Sequence, residues 1–283
     1  QIGDSSGLYG VQPNIIQNYL NGMDYINLSC CADTGWDGYV YTANYYLKNN
    51  KNAKYLVLYV TPYSMPMGFR KGFSSDLKKI FGDSNSLIDF SFFNYLPSSY
   101  FRKNILNYIY KNKKNIKGSE YRMVMYDLGV AKDFEKITGF SDNEFYKFLS
   151  FSKGWLPYDK KKSKLSKMPI KECGKGIIDK FYDKRGKGTL KSSLQKLVKV
   201  SNNYDVQLII LFNPVACSKS NQIKPIIKEL NAFKNENPEV LIPFEFISTL
   251  DKDKFADSEH LNYEESIYNS HKIGKFFSKY LKL

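Results

Sequence analysis

Histidine and tryptophan occur only twice each in this chain, cysteine four times in 283 residues, and acidic side chains number 28 against 42 basic ones. Each shortage excludes something. Four cysteines do not make a disulfide framework at this length, and none is arranged as C-x-x-C, so a zinc site on that motif is not expected. Cys30 and Cys31 are adjacent and follow an apolar run, the setting of buried free thiols that pack as small hydrophobes. A Cys173–Cys217 bridge would fit only an exported protein. Long hydrophobic runs are missing too. The longest strongly apolar one, Val206 to Phe212, is far too short to cross a bilayer, which predicts a soluble globule. G-x-x-x-x-G-K-[ST], G-x-G-x-x-G and H-E-x-x-H are all absent, so phosphate-loop, dinucleotide and metalloprotease chemistry have no signature, and neither cofactor nor metal is expected.

The surplus of bases, +14 at neutral pH, comes mostly from lysine. Lysine interspersed with asparagine and tyrosine along the whole chain makes a solvated surface. The competing explanation is an anionic neighbour, such as a phosphate-bearing cell-surface polymer, a membrane face or nucleic acid. Nucleic acid ranks lowest, because no zinc-finger, aromatic-basic or basic-zipper pattern accompanies the charge. With 42% apolar residues and frequent tyrosine and phenylalanine, residues 1–283 read as one large α/β domain with an insertion. The first residue is Gln1 rather than methionine, which is compatible with an upstream signal peptide or membrane anchor.

Along the chain, a glycine-bounded turn at Gly3 to Gly10 precedes a helix expected over Val11 to Leu20, with Pro13 in its first turn. Tyr25 to Cys30 reads as a short buried strand. Asp33 to Gly38 reads as a loop, ahead of a helix through Tyr45 and Leu47. Tyr55 to Val60 is the clearest early strand and runs into Thr61-Pro62-Tyr63-Ser64. From about residue 65 to 188 the alternation dissolves into aromatic and lysine-rich segments, too long for one loop and too apolar for disorder, which predicts a mainly helical insertion shaping the site. Trp155 lies within it, free either to stack on a sugar ring or to pack. Regularity returns with Leu190, Leu194, Leu197 and Val198 on one helical face, and with a strand over Val206 to Phe212. A helix over Ile223 to Phe233, a strand over Val240 to Phe246 and a last helix from about Tyr263 to Leu281 complete the chain. Strands alternating with helices imply parallel pairing, and such sheets take ligands beyond the carboxyl ends of their strands.

Two short stretches carry chemistry. Gly3-Asp4-Ser5 sets a serine hydroxyl on a turn where it can act as a nucleophile, and Asp257-Ser258-Glu259-His260 supplies a carboxylate three residues before an imidazole. A serine nucleophile needs both, a base to take its proton and a carboxylate to orient the base. Gly82-Asp83-Ser84 repeats the tripeptide in a poorer context, after a basic stretch, and reads as an ordinary turn. His271 falls within an amphipathic helix, as packing or surface residues do, while the bland alternative for His260 is a loop histidine satisfied by a backbone group.

In these stretches the chain resembles the SGNH, or GDSL-type, hydrolase family, and within it the branch of polysaccharide O-acetyltransferases and acetylesterases. Gly3-Asp4-Ser5 is similar to the family's first block, and Asp257-Ser258-Glu259-His260-Leu261-Asn262 to its last. The resemblance implies a three-layer α/β/α sandwich with a mainly parallel central sheet, a triad of Ser5, His260 and Asp257, and an oxyanion hole from the N–H groups of Ser5 and Gly35, with Gly38 the competing glycine. It also implies acyl transfer or ester hydrolysis on a cell-surface carbohydrate polymer, an acyl donor, a membrane-bound acyl-handling partner and an extracytoplasmic location. The chain departs from the family twice. No G-x-N-D follows the Tyr55 to Val60 strand, so the third oxyanion donor is replaced by a hydroxyl of Thr61 or Tyr63, or is missing, and one lost donor costs about 100- to 1000-fold in rate. The strand ahead of the serine is nearly absent, and residues 65–188 match nothing in the family. The alternatives are a carboxylesterase on lipid or small esters, and an inactive SGNH-like module that binds glycan through its tyrosines, lysines and Trp155.

Overall fold

The structure, a computed structural model, describes residues 1–29, 35–62, 151–157, 189–215, 220–256 and 260–281. It is an α/β structure on a parallel three-stranded sheet of order β1 (Ile2–Gly3), β2 (Tyr55–Val60) and β3 (Gln207–Phe212). Tyr-Leu-Val-Leu-Tyr-Val and Gln-Leu-Ile-Ile-Leu-Phe are rich in the β-branched and aromatic side chains that suit a pleated surface. After the first residue of each, every position of β2 and β3 is buried. Successive side chains point to opposite faces, so both faces of the sheet are covered.

Backbone bonds extend the sheet at both edges. The Gln1 N–H group donates to Ile26 O (2.7 Å) and Leu28 N to Gln1 O (2.7 Å), the pattern of a parallel pair. The stretch expected as a strand over Tyr25 to Cys30 is therefore extended beside Gln1 without becoming a regular strand, and Cys30 lies outside the described residues. At the other edge Leu241 pairs in parallel with Ile209. The strand expected over Val240 to Phe246 stops there, because Pro243 has no N–H for a ladder and a 3-10 turn, Phe244–Phe246, follows it.

Six α-helices flank the sheet among the described residues: α1 (Ser5–Gly10), α2 (Pro13–Gln17), α3 (Gly35–Asn49), α4 (Thr189–Asn203), α5 (Ser220–Glu236) and α6 (Tyr263–Tyr280). Leu190, Leu194 and Leu197 on α4, and Ile226, Leu230 and Phe233 on α5, fall at helical spacing and are buried. α6 packs on α1 and α2, and α4 packs on α3. The expected helix over Val11 to Leu20 is confined to the five residues of α2, with Pro13 at its start. Gly35 to Gly38, expected in a loop, instead form the first turn of α3. Apart from 151–157, the expected insertion lies outside the described residues, as do Tyr63, Ser84, Cys173 and Cys217.

The strand register sets up the site. Gly3 pairs with Tyr59, and Val60 with Phe212, so the residues that follow the strands, Asp4 and Ser5, Thr61, and Asn213, collect at one carboxyl edge. Only glycine fits at position 3. Its φ is +150°, and a Cβ there would lie 1.7 Å from Tyr59 O.

Candidate active site

Ser5 begins a helix of six residues, too short to be stable by itself. Its position is held by contacts at both ends. At the amino end Asp4, 2% exposed, is the N-cap. Asp4 Oδ1 accepts from Ser6 N (3.0 Å) and from the Ser6 hydroxyl, and Oδ2 accepts from Thr61 N (2.9 Å) and Thr61 Oγ1 (3.2 Å). One carboxylate therefore caps the helix and ties it to the end of β2.

At the carboxyl end the last four carbonyls of a helix have no partner inside it. In α1 each of these four receives a donor from elsewhere in the chain. Gly7 O accepts from Asn27 Nδ2 (2.7 Å), Leu8 O from Leu156 N (3.1 Å), Tyr9 O from Trp155 Nε1 (2.9 Å) and Gly10 O from Asn269 Nδ2 (2.8 Å). Asn269 also donates to Tyr59 Oη (3.0 Å), whose hydroxyl donates to Asn213 Oδ1 (3.0 Å). Burial pushes the Tyr59 phenol far above its ordinary range, so this hydroxyl stays neutral and links β2, β3 and α6 beneath the nucleophile helix.

His260 arrives from the other end of the chain. Its loop is closed by an antiparallel pairing of Phe255 with Leu261, by Ala256 N donating to His260 O (2.8 Å) and by Asn262 N donating to Lys254 O (3.0 Å). Phe255 and Leu261 are fully buried and pack with Leu250, while Asn262 caps α6 by accepting from Glu265 N (2.9 Å). The Tyr9 ring packs against the imidazole in a T-shaped contact, ring centroids 5.0 Å apart at 80°. With the loop so held, His260 Nε2 lies 2.7 Å from Ser5 Oγ, across 255 residues of sequence, and both residues are half-buried.

The other expected site residues fall as follows. Asp257 and Tyr63 lie outside the described residues. Gly35 is the first and Gly38 the fourth residue of α3, and α3 packs against β1. Thr61 N and Oγ1 both face Asp4. Trp155 is 7% exposed and its ring lies against Tyr263 (5.8 Å between centroids), so its indole braces α1 instead of offering a face to solvent. His271 bonds through Nδ1 to Tyr19 Oη (2.8 Å), between α6 and the end of α2. A cavity of about 660 Å³ opens at the amino ends of the strands, lined by Gln1, Tyr25, Leu47, Lys54, Tyr55 and Phe277, away from Ser5. Among the described residues no group of three or more His, Cys, Asp or Glu is placed to hold a metal ion, and no helix is long and apolar enough to cross a membrane.

Sequence reasoning did not single out Asp4 as a clamp, nor Tyr9, Asn27, Tyr59, Asn213 and Asn269. Asp4 alone had a local signal, an aspartate directly before a short helix, which is an N-cap position. Comparison with known protein families, with curated proteins and with solved structures returned no match.

Proposed function

We propose that this chain is a serine-dependent acyltransferase or esterase of the SGNH type, moving an acyl group, most simply acetyl, to or from a carbohydrate polymer at the cell surface. The observation that carries the reading is the 2.7 Å contact between Ser5 Oγ and His260 Nε2. A binding-only domain has no need to seat a serine hydroxyl on an imidazole from the far end of its chain. The fold is compatible with the same proposal: a parallel sheet flanked by helices and buried along β2 and β3 is what a three-layer α/β/α sandwich requires, and the dyad lies at the carboxyl edge of the strands, where such sheets take ligands.

In the mechanism, Ser5 Oγ attacks the ester carbonyl carbon while His260 Nε2 takes its proton, and Asp257, three residues upstream, holds the imidazole in the tautomer that leaves Nε2 free. The tetrahedral oxyanion takes N–H groups from Ser5 and Gly35. Asp4 supports this choice, since its carboxylate takes Ser6 N and its carbonyl accepts Gly7 N (3.1 Å), leaving the Ser5 N–H unclaimed by the cap. Gly35 is preferred to Gly38 because the first N–H groups of a helix stay outside its ladder, whereas the fourth residue's N–H bonds back to the cap. Thr61 is committed to Asp4, so the third donor is the Tyr63 hydroxyl, which lies outside the described residues, or is missing, and a hole of two donors lowers the intrinsic rate. Collapse returns the proton from His260 to the leaving alcohol and leaves an acyl-enzyme. Water then releases the acid, or a sugar hydroxyl takes the acyl group. A membrane-bound partner delivering the acyl donor and an extracytoplasmic location belong to the same proposal.

The test is direct. Purified protein should release p-nitrophenol from its acetate ester and should be labelled by a fluorophosphonate at Ser5, and Ser5→Ala and His260→Gln should each abolish both. Unchanged turnover in Ser5→Ala removes Ser5 from the mechanism. No turnover with any acyl donor, together with measurable glycan binding, favours the inactive module, and turnover of lipid esters with no action on glycan favours the carboxylesterase.

A further inference from the structure

The residues that hold the nucleophile helix include two from a stretch of chain that the family resemblance leaves unaccounted for. Residues 151–157 turn sharply through Lys153 (φ 54°) and Gly154 (φ 103°) and dock along the start of the chain. Lys153 O accepts from Asn27 N (3.0 Å), Lys153 Nζ meets Asp24 Oδ1 (2.5 Å), and Phe151 O accepts from Asn14 Nδ2 (3.4 Å). The turn delivers Trp155 and Leu156 to two successive carbonyls of α1, those of Tyr9 and Leu8. The Trp155 ring then reaches the other half of the dyad, because Tyr263, against which it lies, is three residues beyond His260 and begins α6. Tyr9, whose carbonyl Trp155 holds, is the residue whose ring abuts His260.

We infer that Trp155 is a positioning residue, one indole fastening the helix that carries Ser5 to the loop that carries His260, so that residues 151–157 help set the geometry of the dyad. Its N–H fixes the Tyr9 carbonyl, which fixes the Tyr9 ring against the imidazole, while its ring, tilted against that of Tyr263, holds the far end of the His260 loop. The contact matters for reactivity because nucleophile and base tolerate little displacement, a misplacement of about 1 Å costing on the order of 100-fold. The inference extends the acyl-transfer reading, and its spectroscopic arm stands independently of it.

The experiment compares the whole chain with Trp155→Phe, which keeps a ring against Tyr263 and removes the N–H. Because there are two histidines, their Hε1 resonances can be followed separately through a pH titration, with His260→Gln assigning them. The expected result is that the His260 resonance and its titration midpoint move while those of His271 do not, and that fluorophosphonate labelling of Ser5 slows about tenfold, through the rate of the chemical step and not through reagent binding. An unmoved His260 signal overturns the inference, and so does labelling at the wild-type rate. If the wild-type protein is not labelled at all, the acyl-transfer reading fails, and the fastening of His260 is decided by the titration alone. Should Trp155→Phe not fold, Tyr263→Ala, at a side chain already 46% exposed, carries the same two readouts with the same outcomes.

Discussion

Replacing Asp4 separates the chemistry of its carboxylate from its shape. The two oxygens divide the work, Oδ1 serving Ser6 N and Oδ2 serving Thr61 N, with the two hydroxyls added. A hydroxyl can turn to accept instead of donate, but a backbone N–H cannot. In Asp4→Asn the amide keeps one oxygen and turns an NH₂ toward the other N–H, leaving one buried donor without an acceptor at a cost of about 1–3 kcal/mol. Asp4→Ala strands both N–H groups and removes the helix cap, for about 2–6 kcal/mol. At roughly 2–4 °C per kcal/mol for a chain of this class, Asp4→Asn should melt on the order of 5 °C below wild type, with Asp4→Ala lower still. Thermal and urea unfolding measure this, and fluorophosphonate labelling of the folded variants reports whether Ser5 has moved. An Asp4→Asn protein with the wild-type midpoint would refute the reasoning, since it would mean that the two oxygens are not both needed as acceptors.

Gly3→Ala should be among the most damaging single changes in the chain, costing more than about 4 kcal/mol, because the added Cβ meets the Tyr59 carbonyl at a backbone angle that L residues rarely adopt; soluble yield and melting temperature read this out. Asp24 has its carboxyl held below the ordinary aspartate range, chiefly by the hydrogen bond from Lys153. A depressed carboxyl contributes stability above its unfolded value that is lost as pH falls through the folded one, so Asp24→Asn should lower stability at neutral pH and match wild type in strong acid. The group is largely exposed and screened, so the difference should not exceed about 0.5 kcal/mol, measured by paired urea titrations at the two pH values.

Elements with a local signature were legible before folding was considered. The apolar runs of β2 and β3, the helical spacing in α4 and α6 and the two chemical motifs all declare themselves within a few residues. Less legible were elements decided by their partners. Tyr25 to Leu28 lie alongside Gln1 instead of forming a regular strand, Pro243 stops the pairing that Leu241 begins, and α1 forms where a turn was expected because Asp4 and four distant donors satisfy its ends.

By itself the sequence determined that a serine preceded by aspartate stands at one end and an aspartate-to-histidine run at the other, and that parallel strands lie between, because side-chain type and short-range spacing are local properties. Tertiary structure alone decided that Ser5 meets His260, that Thr61 serves Asp4, and that Asn27, Trp155, Leu156 and Asn269 hold the nucleophile helix. Those contacts join residues tens to hundreds of positions apart. They depend on the strand register that brings Gly3, Tyr59 and Leu211 level, and no periodicity in the chain encodes which distant donor will reach which carbonyl.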